Sequence, residues 1–145
     1  MIGEYMPGRY IQPEKIYFGW YDRNMVLIMR GNCSAGEGCT FVTVNGLPLR
    51  AFNIGGADFF EWGCDSTESR MLAIAILADY FGGTPTREDY GDAQKMAGSN
   101  LNCMRYCQRF LFVLMNLARG ASWTISSDHI REWLKSLKRQ DQGAQ

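Results

Sequence analysis

At 145 residues the chain fits one domain and is long enough to bury a core without disulfides or metals to hold it. A composition of 46% hydrophobic, 13% aromatic and 21% charged residues is that of a folded globular protein and excludes disorder. Fifteen basic residues balance fifteen acidic ones, which removes any global electrostatic case for nucleic acid or an anionic membrane. No membrane partner is expected either. The longest apolar run, Met71–Ala78, falls far short of the roughly 20 residues a spanning helix needs. The N-terminus lacks a basic region followed by an apolar one, so no signal peptide is read and a cytoplasmic location is expected. The five cysteines are accordingly expected as reduced thiols.

Residues 1–14 mix Pro, Gly and aromatics without a period and read as an irregular arm. Lys15–Tyr21 and Met25–Met29 are short runs of strand formers, and Asp22, Arg23 and Asn24 between them suit an antiparallel hairpin. A glycine-rich loop, Gly31–Gly38, follows. It lacks the G-K-[ST] of a phosphate-binding loop and precedes a strand, so it reads as a surface loop. Cys39–Val44 alternates and is β-branched. Asn45-Gly46 is the pair best suited to a type I′ turn, and Pro48 suits a sheet edge.

From Ser66 the period becomes helical. Asp65 or Ser66 can cap, with Glu68 at capping-box spacing from Asp65. Met71–Phe81 is apolar almost all round, broken by Asp79, which predicts a helix enclosed on several sides. Gly82, Gly83 and Pro85 stop it. Thr86–Ala97 reads as a short helix with Glu88, Asp89 and Asp92 near its start. Leu101–Arg119 is a long helix with Met104, Cys107, Leu111, Leu114 and Ala118 in one stripe, ended by Gly120. A last helix begins at Ser126–Asp128, with Ile125 and Ile130 spaced as a hydrophobic staple, and Asp141–Gln145 reads as a polar tail. The predicted fold is one α+β domain. A small antiparallel sheet from the N-terminal half is packed by three to four C-terminal helices.

Phe60-Glu61-Trp62-Gly63, followed by Leu72-Ala73-Ile74-Ala75-Ile76-Leu77-Ala78-Asp79, resembles an uncharacterised family of small phage- and plasmid-associated proteins. That family reads F-E-W-G-Y-G-G-S-G-P and then L-A-L-A-I-L-x-D. Val42–Gly46 is similar to its V-x-V-x-G strand and turn. Trp123 and Ile130–Leu134 are similar to its C-terminal tryptophan and I-x-x-W-L helix. The resemblance implies a mobile-element origin, a bacterial host cytoplasm and a shared fold, and no chemistry. The chain departs from the family at Cys64–Ser69, where Asp65 and Glu68 replace a glycine-rich turn suited to anions.

No complete catalytic motif is present. Ser66 and Ser69 lack a G-x-S-x-G elbow, and the sole histidine, His129, is far away in sequence. A pairing of Cys64 with His129 stays open. Cys33, Cys39, Cys103 and Cys107 are enough thiolates for zinc but lack knuckle spacing, so neither metal nor cofactor is expected. The preferred reading is a phage or mobile-element accessory protein. It docks on a protein or nucleoprotein, one form of which is an anti-CRISPR-like block of a host-defence complex. Tyr5, Tyr10 and Trp20 form one contact surface, and Lys135, Lys138 and Arg139 a second. The rival is an enzyme or small-ligand binder built on Glu61, Asp65, Ser66, Glu68 and Arg70 at a helix start.

Overall fold

The computed structural model describes residues 13–22, 39–57 and 59–143. β1 (Ile16–Asp22), β2 (Cys39–Val44) and β3 (Leu47–Pro48) come first. Then follow α1 (Thr67–Phe81), α2 (Ala93–Ala97), α3 (Asn102–Met115), β4 (Trp123–Ser126) and α4 (Ser127–Gly143). The strands form one antiparallel sheet in the order β3-β2-β1-β4, so the α+β expectation holds.

Asn45 and Gly46 take positive φ values of 50° and 84°, as a type I′ turn requires. Asn45 also fixes the turn to the next strand. Its side-chain oxygen accepts from the Ile16 N–H at 2.8 Å, and its own N–H donates to the Ile16 carbonyl at 2.9 Å. Pro48 lies in the outermost strand, where a missing donor costs no ladder bond. β1 pairs along its length with β2, from Tyr17 opposite Val44 to Asp22 opposite Cys39. Its hairpin partner is therefore β2. The Met25–Met29 run lies outside the described residues.

β4 is the element that the sequence reading lacks. Its four residues pair with Ile16–Gly19 of β1. Ser127 locks the join, donating its N–H to the Lys15 carbonyl at 2.8 Å and accepting from the Lys15 N–H at 2.9 Å. Trp123 faces Gly19 across this pair, and a Cβ on Gly19 would overlap the indole. The missing side chain is what admits the ring. Trp123 also meets Trp62 edge-on at 5.5 Å. Its buried indole N–H has no hydrogen-bond partner among the described residues.

α1 is buried without interruption from Met71 to Ala78. It packs along α3, and its core neighbours include Tyr17, Val42 and Ile125 from the inner sheet face. Ser66 is the cap, accepting from the Ser69 N–H at 3.1 Å. Asp65 is thus not the cap and pairs instead with Arg70 at 2.7 Å. Past the buried run, Asp79 accepts from the Tyr17 hydroxyl at 2.7 Å and from Lys15 Nζ at 3.1 Å. Lys15 Nζ also donates to the Asp79 carbonyl at 3.0 Å. The last turn of α1 carries no basic residue, so Lys15, one residue before β1, supplies the cation that a helix C-terminus favours.

Three helix boundaries differ from expectation. The Thr86–Ala97 helix shrinks to Ala93–Ala97. Asp89 takes the Thr86 N–H at 2.7 Å and its hydroxyl at 2.9 Å, which closes a turn and holds its carboxyl below the usual carboxylate range. Asp92, after Gly91, then caps the shorter helix through the Lys95 N–H. α3 stops at Met115, where Asn116 and Leu117 donate to the Val113 and Leu114 carbonyls three residues back and Leu114 also accepts from the Gly63 N–H at 2.9 Å; Ala118 is exposed. α4 runs on through Gly143, so Asp141 belongs to a helix and not to a tail. Its start is a reciprocal cap. Ser126 Oγ accepts from the His129 N–H, and His129 Nδ1 accepts from the Ser126 N–H, each at 3.1 Å.

Burial, reinforced by the Asp79 carboxylate, raises the Tyr17 hydroxyl far above its ordinary value of 10.0. An unfolded chain would release that proton at its ordinary pKa while the folded chain holds it. Folding is therefore favoured below about pH 10 and weakens as pH rises above it. Tyr17→Phe should cost about 1.5–3 kcal/mol in urea unfolding, the worth of a hydrogen bond to a charged group. It should also flatten the alkaline fall in stability. An alkaline limb as steep in Tyr17→Phe as in the wild type would refute this assignment.

Candidate functional site

The short segment before α1 gathers the polar residues. Trp62 is buried and donates its indole N–H to the Ala121 carbonyl at 3.1 Å. Gly63 follows at φ 82°, pressed against the Leu117 carbonyl and the Arg119 backbone, with no room for a Cβ. These contacts pin the turn to the chain leaving α3. They also bring Arg119 to Glu61, at 3.0 Å.

Glu61 then collects donors. Cys64 donates its thiol proton at 3.2 Å and Ser66 its hydroxyl proton at 3.0 Å. The Ser66 and Ser69 hydroxyls lie 3.1 Å apart, and Ser69 is fully buried. Glu61, Ser66, Cys64, Ser69 and Arg119 thus form one connected network. Asp65 and Arg70 form a separate, more exposed pair beside it, and Glu68 is half-buried on the first turn of α1. Ser69, at the third helical position from the Ser66 cap, was readable from spacing. Arg119 was not singled out from sequence and carries no local signal.

This network reads as a clamp. Its hydrogen bonds run between its own members, to the cap and to the docked turn. His129 is committed elsewhere. Its Nδ1 serves the α4 cap, and its ring lines an apolar cavity with Phe110, Val113, Ile125, Ile130 and Trp133. The structure brings Cys64 to Glu61 and not to His129.

The remaining cysteines are equally quiet. Cys103 and Cys107 are buried on α3, and burial pushes the Cys107 thiol up to about 12. Cys39 is disulfide-bonded, against the expectation of reduced thiols, and Cys33 lies outside the described residues. Among the described residues no group of three or more His, Cys, Asp or Glu side chains could hold a metal ion.

The outer face of the sheet is different. Along β1, Tyr17 points into the core while Ile16, Phe18 and Trp20 point away from it. Trp20 stands opposite Phe41 of β2. Phe18, Trp20 and Phe41 form a row of stacked rings, each step 5.3 Å with interplanar angles of 23° and 20°. Phe18 keeps 38% of its surface exposed and Ile16 36%. Thr43 and Thr124 flank Phe18 on the neighbouring strands. Trp20 thus belongs to an exposed aromatic strip, with Phe18, Phe41 and Ile16 as members not singled out from sequence. The alternation Ile16, Phe18, Trp20 was their signal. Tyr5 and Tyr10 lie outside the described residues.

Lys135, Lys138 and Arg139 lie on α4, with Lys135 paired to Glu132 at 3.3 Å. No helix of the described residues is long and apolar enough to cross a membrane. The chain matches no known protein family, no curated protein and no solved structure.

Alkylation separates these environments. Iodoacetamide on the native protein should modify half-exposed Cys64 and spare Cys103 and Cys107 until denaturant is added, as read by peptide mass mapping. Native labelling of Cys107 at the Cys64 rate would contradict the packing. Ser66→Ala should cost about 1 kcal/mol in chemical denaturation, the worth of an N-cap.

Proposed function

We propose that the protein acts by docking, through the outer face of its sheet, on a protein surface. The observation that supports this most is the row Phe18–Trp20–Phe41 with Ile16, apolar and turned away from the core. Exposed aromatic rings are what protein interfaces are enriched in, because they supply large contact area at low entropic cost. The row favours a protein over a nucleic acid. Its rings stack on one another, so most ring faces are already occupied, whereas single-stranded bases need open faces and a basic groove. The sequence resemblance adds a setting. In a phage or mobile element the docked molecule is a host or viral macromolecule, and inhibition of a host-defence complex is one outcome of such docking. Lys135, Lys138 and Arg139 form a second contact region in this reading, reached when the partner is a nucleoprotein.

A photo-crosslinking residue placed at Phe18 should capture a discrete partner in host cells. The same residue placed at exposed Phe112, on the helical side, should not capture that partner. Phe18→Asp combined with Trp20→Ala should abolish capture by a tagged protein while the melting temperature stays within a few degrees. An unchanged partner profile in that double variant would sink the docking reading.

A further inference from the structure

α4 is only partly covered. It packs on the core through Ile130 and through the Trp133 ring, which meets Phe110 edge-on at 5.0 Å. One turn further on, Leu137 is half-buried and lies beyond the core cluster. Across from it on α3, Phe112 leaves 64% of its surface exposed. Between the two helices lie adjoining cavities of about 260 and 440 Å³ that share Val113 and Trp133 as walls. The first is lined almost wholly by apolar side chains. The second includes Phe112 and Leu137, with Arg109 on the α3 wall and Asp141 on the α4 wall. Arg109 donates through Nη1 and Nη2 to the two Asp141 carboxylate oxygens, each at a long 3.4 Å, between side chains that are 48% and 61% exposed.

We propose that this α3/α4 groove is a self-association face, on which a second copy of the chain seats its own groove across a two-fold axis. The charge arrangement selects the occupant. One wall is basic at Arg109 and the other acidic at Asp141, so a two-fold axis along the groove lays each wall over its opposite in the second copy. Arg109 then meets Asp141 of the second copy, and the reciprocal pair forms at the same time. The same rotation brings Phe112 over the second copy's cavity beside Val113 and Leu137. A self-complementary patch of this kind is what an isologous contact requires. The face is distinct from the aromatic strip on the sheet and does not depend on the docking reading.

Sedimentation equilibrium of the full chain over a wide concentration range tests this. The mass should rise from 16.5 kDa toward twice that value. Phe112→Glu should abolish the rise with unchanged helicity, since the ring is exposed. Arg109→Asp and Asp141→Arg should each be monomeric, because each sets like charges against like. Mixed together, they should form a heterodimer. The first variant carries carboxylates on both walls and the second carries guanidinium groups on both, so every wall then meets its opposite. A chain that stays monomeric at every concentration overturns the proposal and leaves the groove to a different occupant. A dimer that survives Phe112→Glu, or single charge variants that do not associate on mixing, overturns it as well.

Discussion

The burial of α1 is the constraint to which the other elements answer. From Met71 to Ala78 the helix has no side that tolerates water. Each large side chain in that run contributes about 1.5–3 kcal/mol when fully covered. Ala73, Ala75 and Ala78 keep parts of the surface flat, so neighbouring elements can come close. The cost of such a helix appears at its end. Asp79 follows directly, with its carboxylate half-buried, paired and hydrogen-bonded. Tyr17 and Lys15, both from the sheet side, are its partners. The most apolar helix is thereby tied to the sheet by a polar contact.

The turn ahead of α1 serves the same end. Trp62 and Gly63 attach it to the segment leaving α3, Glu61 gathers Arg119, Cys64 and Ser66, and Ser66 caps the helix. A cluster of Glu, Cys, Ser and Arg resembles a reaction centre when only residue types are counted. Its hydrogen bonds also link the start of α1 to the segment leaving α3. Two other surfaces differ from it in character: an aromatic row on the outer sheet face, and a groove between α3 and α4 whose walls carry Arg109 and Asp141.

Much of the fold was legible because it rests on local rules. The Asn45-Gly46 turn, edge Pro48, the all-round apolar α1 and its Gly82 stop need only neighbours in sequence. What escaped depends on distant partners. β4 spans only four residues, too few to show a period, and exists as a strand because β1 offers it an edge. The end of α3 docks on Gly63 through the Leu114 carbonyl, which nothing in Leu101–Arg119 announces. The candidate site divides the same way. Glu61, Ser66 and the cap were readable from spacing, whereas Arg119 joins from 58 residues away. Trp20 stood out as a tryptophan, but its place in a ring stack needed the register of β1 on β2.

The position of β1 bears on how the chain is made. It precedes β4, which covers one of its edges, by about a hundred residues, and the residues flanking the two strands, Lys15 and Ser127, are bonded 112 apart in sequence. On a ribosome the sheet would wait with an open edge until nearly all of the domain had been extruded. That edge belongs to a strand rich in Tyr, Phe and Trp, the kind that pairs with neighbouring nascent chains. Contacts so distant in sequence also slow folding, because loop closure must precede the gain from pairing. The nascent domain is therefore most exposed to misassembly, and most in need of a chaperone, just before residues 123–126 become available.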